Sequence, residues 1–350
     1  MLRTLAAERS PIGLDLGGRC LRAVQLRGDG PGRRVEAIAL LPRIQSEAPL
    51  ASEDARRLRE VLYRRGFTGS KVILGAPPAI VATTVVRLQR AGSGAACERT
   101  VREEFAKAAG FDPNQSEMAY WTLPEASRGD NTVDIMTAGC AHTAADELLD
   151  ITEAAGFDVL ALDLECAAIA RWLSETPDRP PTAAVVCVEW GSVEIVVLCG
   201  DTVVYERSIP EAGLHALFVE FRARLGLSEE MFGLLIRDAV LRDDDWAFAS
   251  ADAGASARSA LTAHFERMID ELKMALSYVA HQYQSDPVAD MYVIGEGSAI
   301  RDLPGHLARR LGVRARVAEP ADVAPSAADL IEHGGAIGLE KAVGLARYFA

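Results

Sequence analysis

The chain predicts an α/β protein of two lobes, and three observations carry that prediction. With 350 residues, 49% of them hydrophobic, it can bury more core than a single domain of ordinary size holds. A strand, a glycine turn and a second strand occupy Ile12 to Leu26, and the same plan returns at Ala183 to Leu198. A third glycine turn, Gly295-Glu-Gly297, follows an apolar strand at Met291 to Ile294 and precedes a helix at Leu303 to Leu311.

Taken in order, Ile12 to Leu16 and Leu21 to Leu26 flank Gly17-Gly18 as an antiparallel hairpin, with any chemistry at its tip. After more strand-like sequence, Ser52 to Arg65 has helical periodicity, acidic residues in its first turn at Glu53 and Asp54, and Gly66 as its stop. The densest arginine cluster, Arg56, Arg57, Arg59, Arg64 and Arg65, lies in this helix and reads as a solvated face. Lys71 to Gly75 is a buried strand. From Ala76 to Gly156 a compact subdomain is inserted. It has a strand at Val81 to Leu88, a helix at Ala95 to Ala109, a polar loop at Ser127 to Asn131, a strand at Val133 to Cys140 and a helix at Thr143 to Ala155. The chain returns through Val159 to Asp163 into a helix ending at Leu173, and Pro177 to Pro181 breaks the pattern before the second hairpin. A long helix covers Phe265 to Tyr283. The division that follows is a first lobe of 10–70, 157–182 and 336–350, an insert of 71–156, and a second lobe of 183–335.

Composition excludes several functions. A formal net charge of −13 repels phosphate backbones and anionic lipid headgroups, so neither nucleic acid nor direct membrane insertion is expected. No stretch reaches the ~18 apolar residues of a membrane span, and Met1 to Ser10 lacks the apolar core of a signal peptide, which makes the cytoplasm the expected compartment. Cys20, Cys97, Cys140, Cys166, Cys187 and Cys199 form no Cys-x-x-Cys pair and read as small core residues. The histidines lack His-Glu-x-x-His spacing, there is no Gly-x-Ser-x-Gly elbow, and Gly295-Glu-Gly297 lacks the third glycine of a dinucleotide fingerprint.

Glycine turns after strands bring backbone N–H groups together and accept phosphate oxygens without a basic side chain, although most glycine pairs in hairpins serve only a tight turn. Asp15 has two readings: it positions Mg²⁺ near a phosphate, or it caps its own turn through an Asx bond.

The order of the turns carries a resemblance. Asp15-Leu-Gly-Gly18, Glu189-Trp-Gly-Ser192 and Gly295-Glu-Gly297 resemble the two phosphate motifs and the adenosine motif of actin-like ATPases. Ile151 to Phe157, Leu162 to Ala167, Glu206 to Pro210, Glu271 to Tyr278, Tyr292 to Gly295, Arg301 to Pro304, Leu311-Gly-Val and Gly334 to Gly338 are similar to the type IV pilus assembly PilM family over nearly the whole chain. That resemblance implies an actin-like, ribonuclease H-like two-lobe fold with an FtsA/PilM-type insert and ATP between the lobes. Asp15, Gly17, Gly18, Arg19, Glu189, Gly191, Ser192, Glu271, Gly295, Gly297 and Ser298 would hold the nucleotide. Asp15 and Glu189 would hold Mg²⁺ through water, and Glu165 would orient the attacking water or pair with Arg171. Glu271 and Lys273 point to different sides of their helix, and Glu271 is the one assigned to the cleft.

The resemblance further implies a groove near the insert that takes the short N-terminal tail of a PilN-like bitopic membrane protein, at the cytoplasmic face of the inner membrane. Pilus motor ATPases and self-association are further expected contacts. Two departures stand out: Glu189 with Trp190 and Val193 replaces the usual Asp and hydroxyl residue, and Glu296 puts a carboxylate in the adenosine turn. Magnesium demands near-ideal octahedral geometry at ~2.0–2.1 Å, so a longer acid is not a neutral exchange. The leading reading is therefore an adaptor with at most weak ATPase activity. The alternatives are a degenerate actin-like scaffold without nucleotide, an FtsA-like division protein and a small-molecule kinase.

Overall fold

A computed structural model describes residues 8–28, 33–46, 48–89, 95–125, 131–176, 179–238, 251–283, 288–300, 302–318 and 338–349. Much of the expected 127–131 loop, Pro177, Arg301 and 334–337 lie outside the described residues, as does the side chain of Cys97.

Two sheets repeat one plan. The first has the order β3-β2-β1-β4-β8, from Ile12–Leu16 (β1), Cys20–Arg27 (β2), Arg34–Pro42 (β3), Lys71–Ala76 (β4) and Asp158–Leu164 (β8). The second has the order β11-β10-β9-β12-β13, from Thr182–Val188 (β9), Val193–Cys199 (β10), Thr202–Ile209 (β11), Asp290–Ile294 (β12) and Arg314–Val317 (β13). In each, three antiparallel strands joined by hairpins are followed by two parallel strands reached through crossovers. This is the actin-like two-lobe α/β fold.

The insert is a third, antiparallel sheet of order β5-β7-β6, from Ala82–Gln89 (β5), Ser116–Thr122 (β6) and Thr132–Ala141 (β7), with helices Ala95–Ala109 (α2) and His142–Ala154 (α3). Its expected start at residue 71 is corrected. β4 pairs with β1 from Ile12↔Val72 onward, so the first sheet claims it and the insert opens beyond Ala76. The apolar Val-Ile-Leu run is equally good filling for either sheet, which is why periodicity did not place the boundary.

The core explains where the lobes meet. Ala183, Val185 and Cys187 of β9 face one way, Ala184, Val186 and Val188 the other, and both sets are buried. The first set packs with two helices shared between the sheets, Glu165–Ser174 (α4) and Glu340–Ala346 (α9). The second faces Leu214–Leu225 (α5), Glu229–Asp238 (α6), Ala251–Tyr283 (α7) and Leu303–Leu311 (α8). Leu58 and Leu62 of Ser52–Arg64 (α1) cover the far side of the first sheet. Helix α9 lies close against its neighbours because Gly344 faces the Ala168 backbone and Gly13 faces that of Ala342.

The helix α7 starts earlier than its apolar stripe predicts, because residues 251–256 are small or polar and show no periodicity. The arginine face of α1 is solvated as expected, with Arg56 on Glu53, and Arg64 on Glu60 at 3.6 Å. Five described cysteines are free, and Cys140, Cys166 and Cys187 are buried.

Candidate functional site

The site grows from the first hairpin. Asp15 stands directly opposite Arg22 in the antiparallel register, so the two side chains share one face of the sheet. Arg22 Nη1 donates to Asp15 Oδ2 at 3.0 Å, and Nη2 donates to Glu189 Oε2 at 3.0 Å and lies 3.5 Å from Glu296 Oε1. Glycine makes the room. A Cβ at Gly17 would stand 2.7 Å from Nη1, and one at Gly338, whose φ is 79°, would stand 2.9 Å from Nε. A turn expected to cradle phosphate instead cradles a guanidinium.

A second buried cation comes from the last helix. Lys341 Nζ donates to Glu165 Oε2 at 2.7 Å and lies 3.6 Å from Asp15 Oδ1 and 3.8 Å from Glu189 Oε1. Burial opposes charge on both cations, yet Asp15 and Glu189 around Arg22, and Asp15, Glu165 and Glu194 around Lys341, raise their pKa values well above the ordinary range. Burial pushes Glu165 well up, the neighbouring Glu194 adds to it, and Lys341 opposes. Glu194 is likewise raised by burial, against Lys341 and a hydrogen bond with Glu165.

The rim of the site is a latch between lobes. Arg19, at the tip of the first hairpin, reaches Glu229 at 3.0 Å and Glu296 at 3.5 Å, and its guanidinium lies 4.7 Å from the centre of the Trp190 ring. Trp190 itself turns into the second-lobe core against His215, Phe218 and Phe232. Its place in the turn is thus explained by packing. Glu189 N donates to Ser192 O at 2.9 Å, which closes that hairpin on itself.

Of the residues expected here, Asp15, Glu165 and Glu189 meet, with Gly17, Arg19 and Gly295 beside them. Gly18, Gly191 and Ser192 line the adjoining cavity. The pairing of Glu165 with Arg171 is corrected: Arg171 binds Asp163 and the Gly344 carbonyl, while Glu165 binds Lys341. Glu271 pairs with Arg207 at 2.9 Å on the β11 side, away from the Asp15 cluster. Ser298 Oγ donates to its own turn at Gly295 O, 2.7 Å, and Gly297 packs on Val188. Arg22, Lys341, Glu194 and Glu340 join the site without belonging to any of the motifs, and the signal each offers is a charged residue set in an apolar run.

The arrangement does not fit a magnesium nucleotide. Asp15 and Glu189 are the carboxylates expected to hold Mg²⁺ through water. The ammonium of Lys341 stands between the carboxylates that would do so. Asp15 and Glu189 already share Arg22 and Lys341, and Glu296 faces Arg19, so a polyphosphate would have to displace these pairs rather than meet a free cation.

The buried carboxyls predict a pH dependence. Burial pushes Glu296, with help from Glu189, and Glu340 from 4.5 up to about 7. A carboxyl raised on folding holds its proton better in the folded state, so its stabilising contribution is lost as pH rises from 4.5 through about 7. His264, which burial lowers from 6.5 to about 4, acts oppositely below 6.5. The melting temperature is therefore expected to rise as pH falls from about 8 to about 6. Scanning calorimetry checks this, and a flat or inverted profile contradicts it.

Beside the ion network runs a cavity of about 540 Å³. One wall carries Gly17, Gly18, Glu165, Glu189, Gly191, Ser192 and Lys341; the other is largely apolar, with Leu50, Pro77, Pro78, Ile80, Leu148 and Ile151, and carries the charged Arg43 and Glu147. The apolar wall is made by the first lobe meeting the opening strand turn and helix α3 of the insert.

Comparison with known proteins agrees with this architecture. The model of the family described as type IV pilus assembly protein PilM matches residues 13–333. Among solved structures, one described as a PilM-PilN type IV pilus biogenesis complex is 20% identical with a TM-score of 0.76, covering 97% of this chain and 98% of that one. The ethanolamine utilization protein EutJ from Carboxydothermus hydrogenoformans is 15% identical with a TM-score of 0.53, covering 99% and 92%. MreB5 of Spiroplasma citri bound to ADP is 11% identical with a TM-score of 0.51, covering 92% and 95%. At these identities the likeness is one of fold. No curated protein matches the chain.

Proposed function

The chain belongs to the PilM family of type IV pilus assembly proteins, and from that premise we propose that it is an adaptor whose groove holds the N-terminal tail of a PilN-like membrane protein. The observation that carries this reading is the largely apolar wall that first lobe and insert give to the cavity, whose other side is formed with the second lobe. An extended peptide with alternate apolar side chains would bury them against Leu50, Pro77, Ile80 and Ile151, while the carboxylates at the far end disfavour an acidic occupant. No helix among the described residues is long and apolar enough to cross a membrane. In this reading the adaptor sits at the cytoplasmic face of the inner membrane because its partner is anchored there, and pilus motor ATPases and self-association lie downstream of that contact. ATP and Mg²⁺ have no part in the reading, since Asp15 and Glu189, the carboxylates assigned to the metal, face Arg22 and Lys341 instead.

The test is fluorescence anisotropy with a labelled peptide copying the tail of the PilN-like protein from the same organism. Saturable binding is expected. Ile80→Asp and Ile151→Asp, both at partly exposed positions, should each weaken it about tenfold or more, which is about 1.4 kcal/mol per decade. Unchanged affinity in both variants would remove the groove from consideration.

A further inference from the structure

Two basic side chains of the first lobe cross to carboxylates of the second, and no anion from outside is needed to explain either one. Arg22 spans Asp15 in the first lobe and Glu189 and Glu296 in the second; Lys341 spans Glu165 and Asp15 in the first and Glu189 in the second. We propose that Arg22 and Lys341 are resident cations that take the charge-neutralising position of a metal and its nucleotide, so that the lobes are closed by the protein's own side chains and closure does not respond to nucleotide.

The rival account is that both are phosphate ligands resting on carboxylates until a nucleotide arrives. Geometry weighs against it. Both terminal nitrogens of Arg22 are engaged, its guanidinium is enclosed by Gly17 and Gly338, and the residue does not line the neighbouring cavity. Lys341 reaches that cavity but its ammonium faces three carboxylates at 2.7, 3.6 and 3.8 Å. Freeing Lys341 for a phosphate would leave buried Glu165 without its cation, and freeing Arg22 would leave Asp15 and Glu189 to Lys341 alone. The entrance is also tied: Arg19 holds Glu229 and Glu296 from across the cleft, and Glu296 occupies the turn expected to receive the adenosine. This inference shares Glu165, Glu189 and Lys341 with one wall of the cavity, but the apolar side chains on which the peptide reading rests contribute no group to the ion network.

Energy transfer between dyes at the exposed positions Tyr63 on α1 and Met231 on α6 reports the separation of the lobes. In the otherwise unaltered protein, millimolar ATP or ADP with Mg²⁺, and likewise EDTA, should leave the transfer efficiency unchanged, and isothermal titration should show no saturable heat. Lys341→Met should lower the efficiency without any nucleotide present. Should that variant not fold, Arg19→Ala at the half-exposed latch serves the same comparison. Saturable binding of Mg²⁺ and ATP by the unaltered protein, or closure of the lobes on adding them, would overturn the proposal. Because none of these readouts involves the peptide, failure here leaves the groove untouched, and loss of peptide binding leaves the lock untouched.

Discussion

Replacing Lys341 with methionine should cost about 3–5 kcal/mol of stability near neutral pH, because it removes one partner from a buried ion cluster and leaves the others. Methionine keeps much of the side-chain volume, so little of the loss should come from a cavity. The loss comes first from Glu165, whose hydrogen-bonded cation is gone, and then from Asp15 and Glu189, which keep Arg22 alone. Such a cluster can relieve itself by taking up protons. The folded variant would bind more protons than its unfolded chain, so its stability should rise as pH falls, and the gap to the unaltered protein should narrow. Urea unfolding at about pH 8 and about pH 6 measures both effects. A loss under about 1 kcal/mol that is the same at both pH values would mean that Lys341 is not what compensates the carboxylates.

How much of this was legible in the sequence depends on what each residue had to announce. The two hairpins were legible because a strand, a glycine turn and a strand is a local pattern, and the sheets confirm it at Asp15↔Arg22 and Val193↔Val188. The meeting of Asp15 with Glu189, here through Arg22 and Lys341, is what the resemblance carried by the order of the turns implies. Arg22 and Lys341 did not announce themselves. A lone charge in an apolar strand or helix ordinarily marks the face toward water, and only the stacking of both sheets on α4 and α9 turns those faces inward. The same ambiguity misplaced Glu271, whose helix was correct but whose partner, Arg207, lies on a strand far away in sequence. The β4 boundary was lost for a different reason, since a strand buried on both faces carries no alternation to say which sheet it joins.

Trp190 was visible as a departure from the expected motif, but its direction was not, and that direction makes the second large prediction. The ring is buried in the second-lobe core, 5.6 Å from Phe218 and 6.1 Å from Phe232 between ring centres, while Arg19 of the first lobe lies over it. Trp190→Ala should therefore lower stability by about 3–5 kcal/mol through the cavity it opens, and Trp190→Phe by less because most of the aromatic volume returns. A purely internal role would end there. Arg19 adds a second consequence, since its guanidinium would lose the surface on which it rests while spanning to Glu229 and Glu296. A double-mutant cycle between Arg19→Ala and Trp190→Ala should then show a coupling of about 0.5–1 kcal/mol, measured by urea unfolding. Strict additivity would separate the two residues, leaving Trp190 a core residue only and Arg19 a latch held by its carboxylates alone. A coupling of the expected size would instead mean that the packing of the second lobe and the closure of the cleft share one side chain.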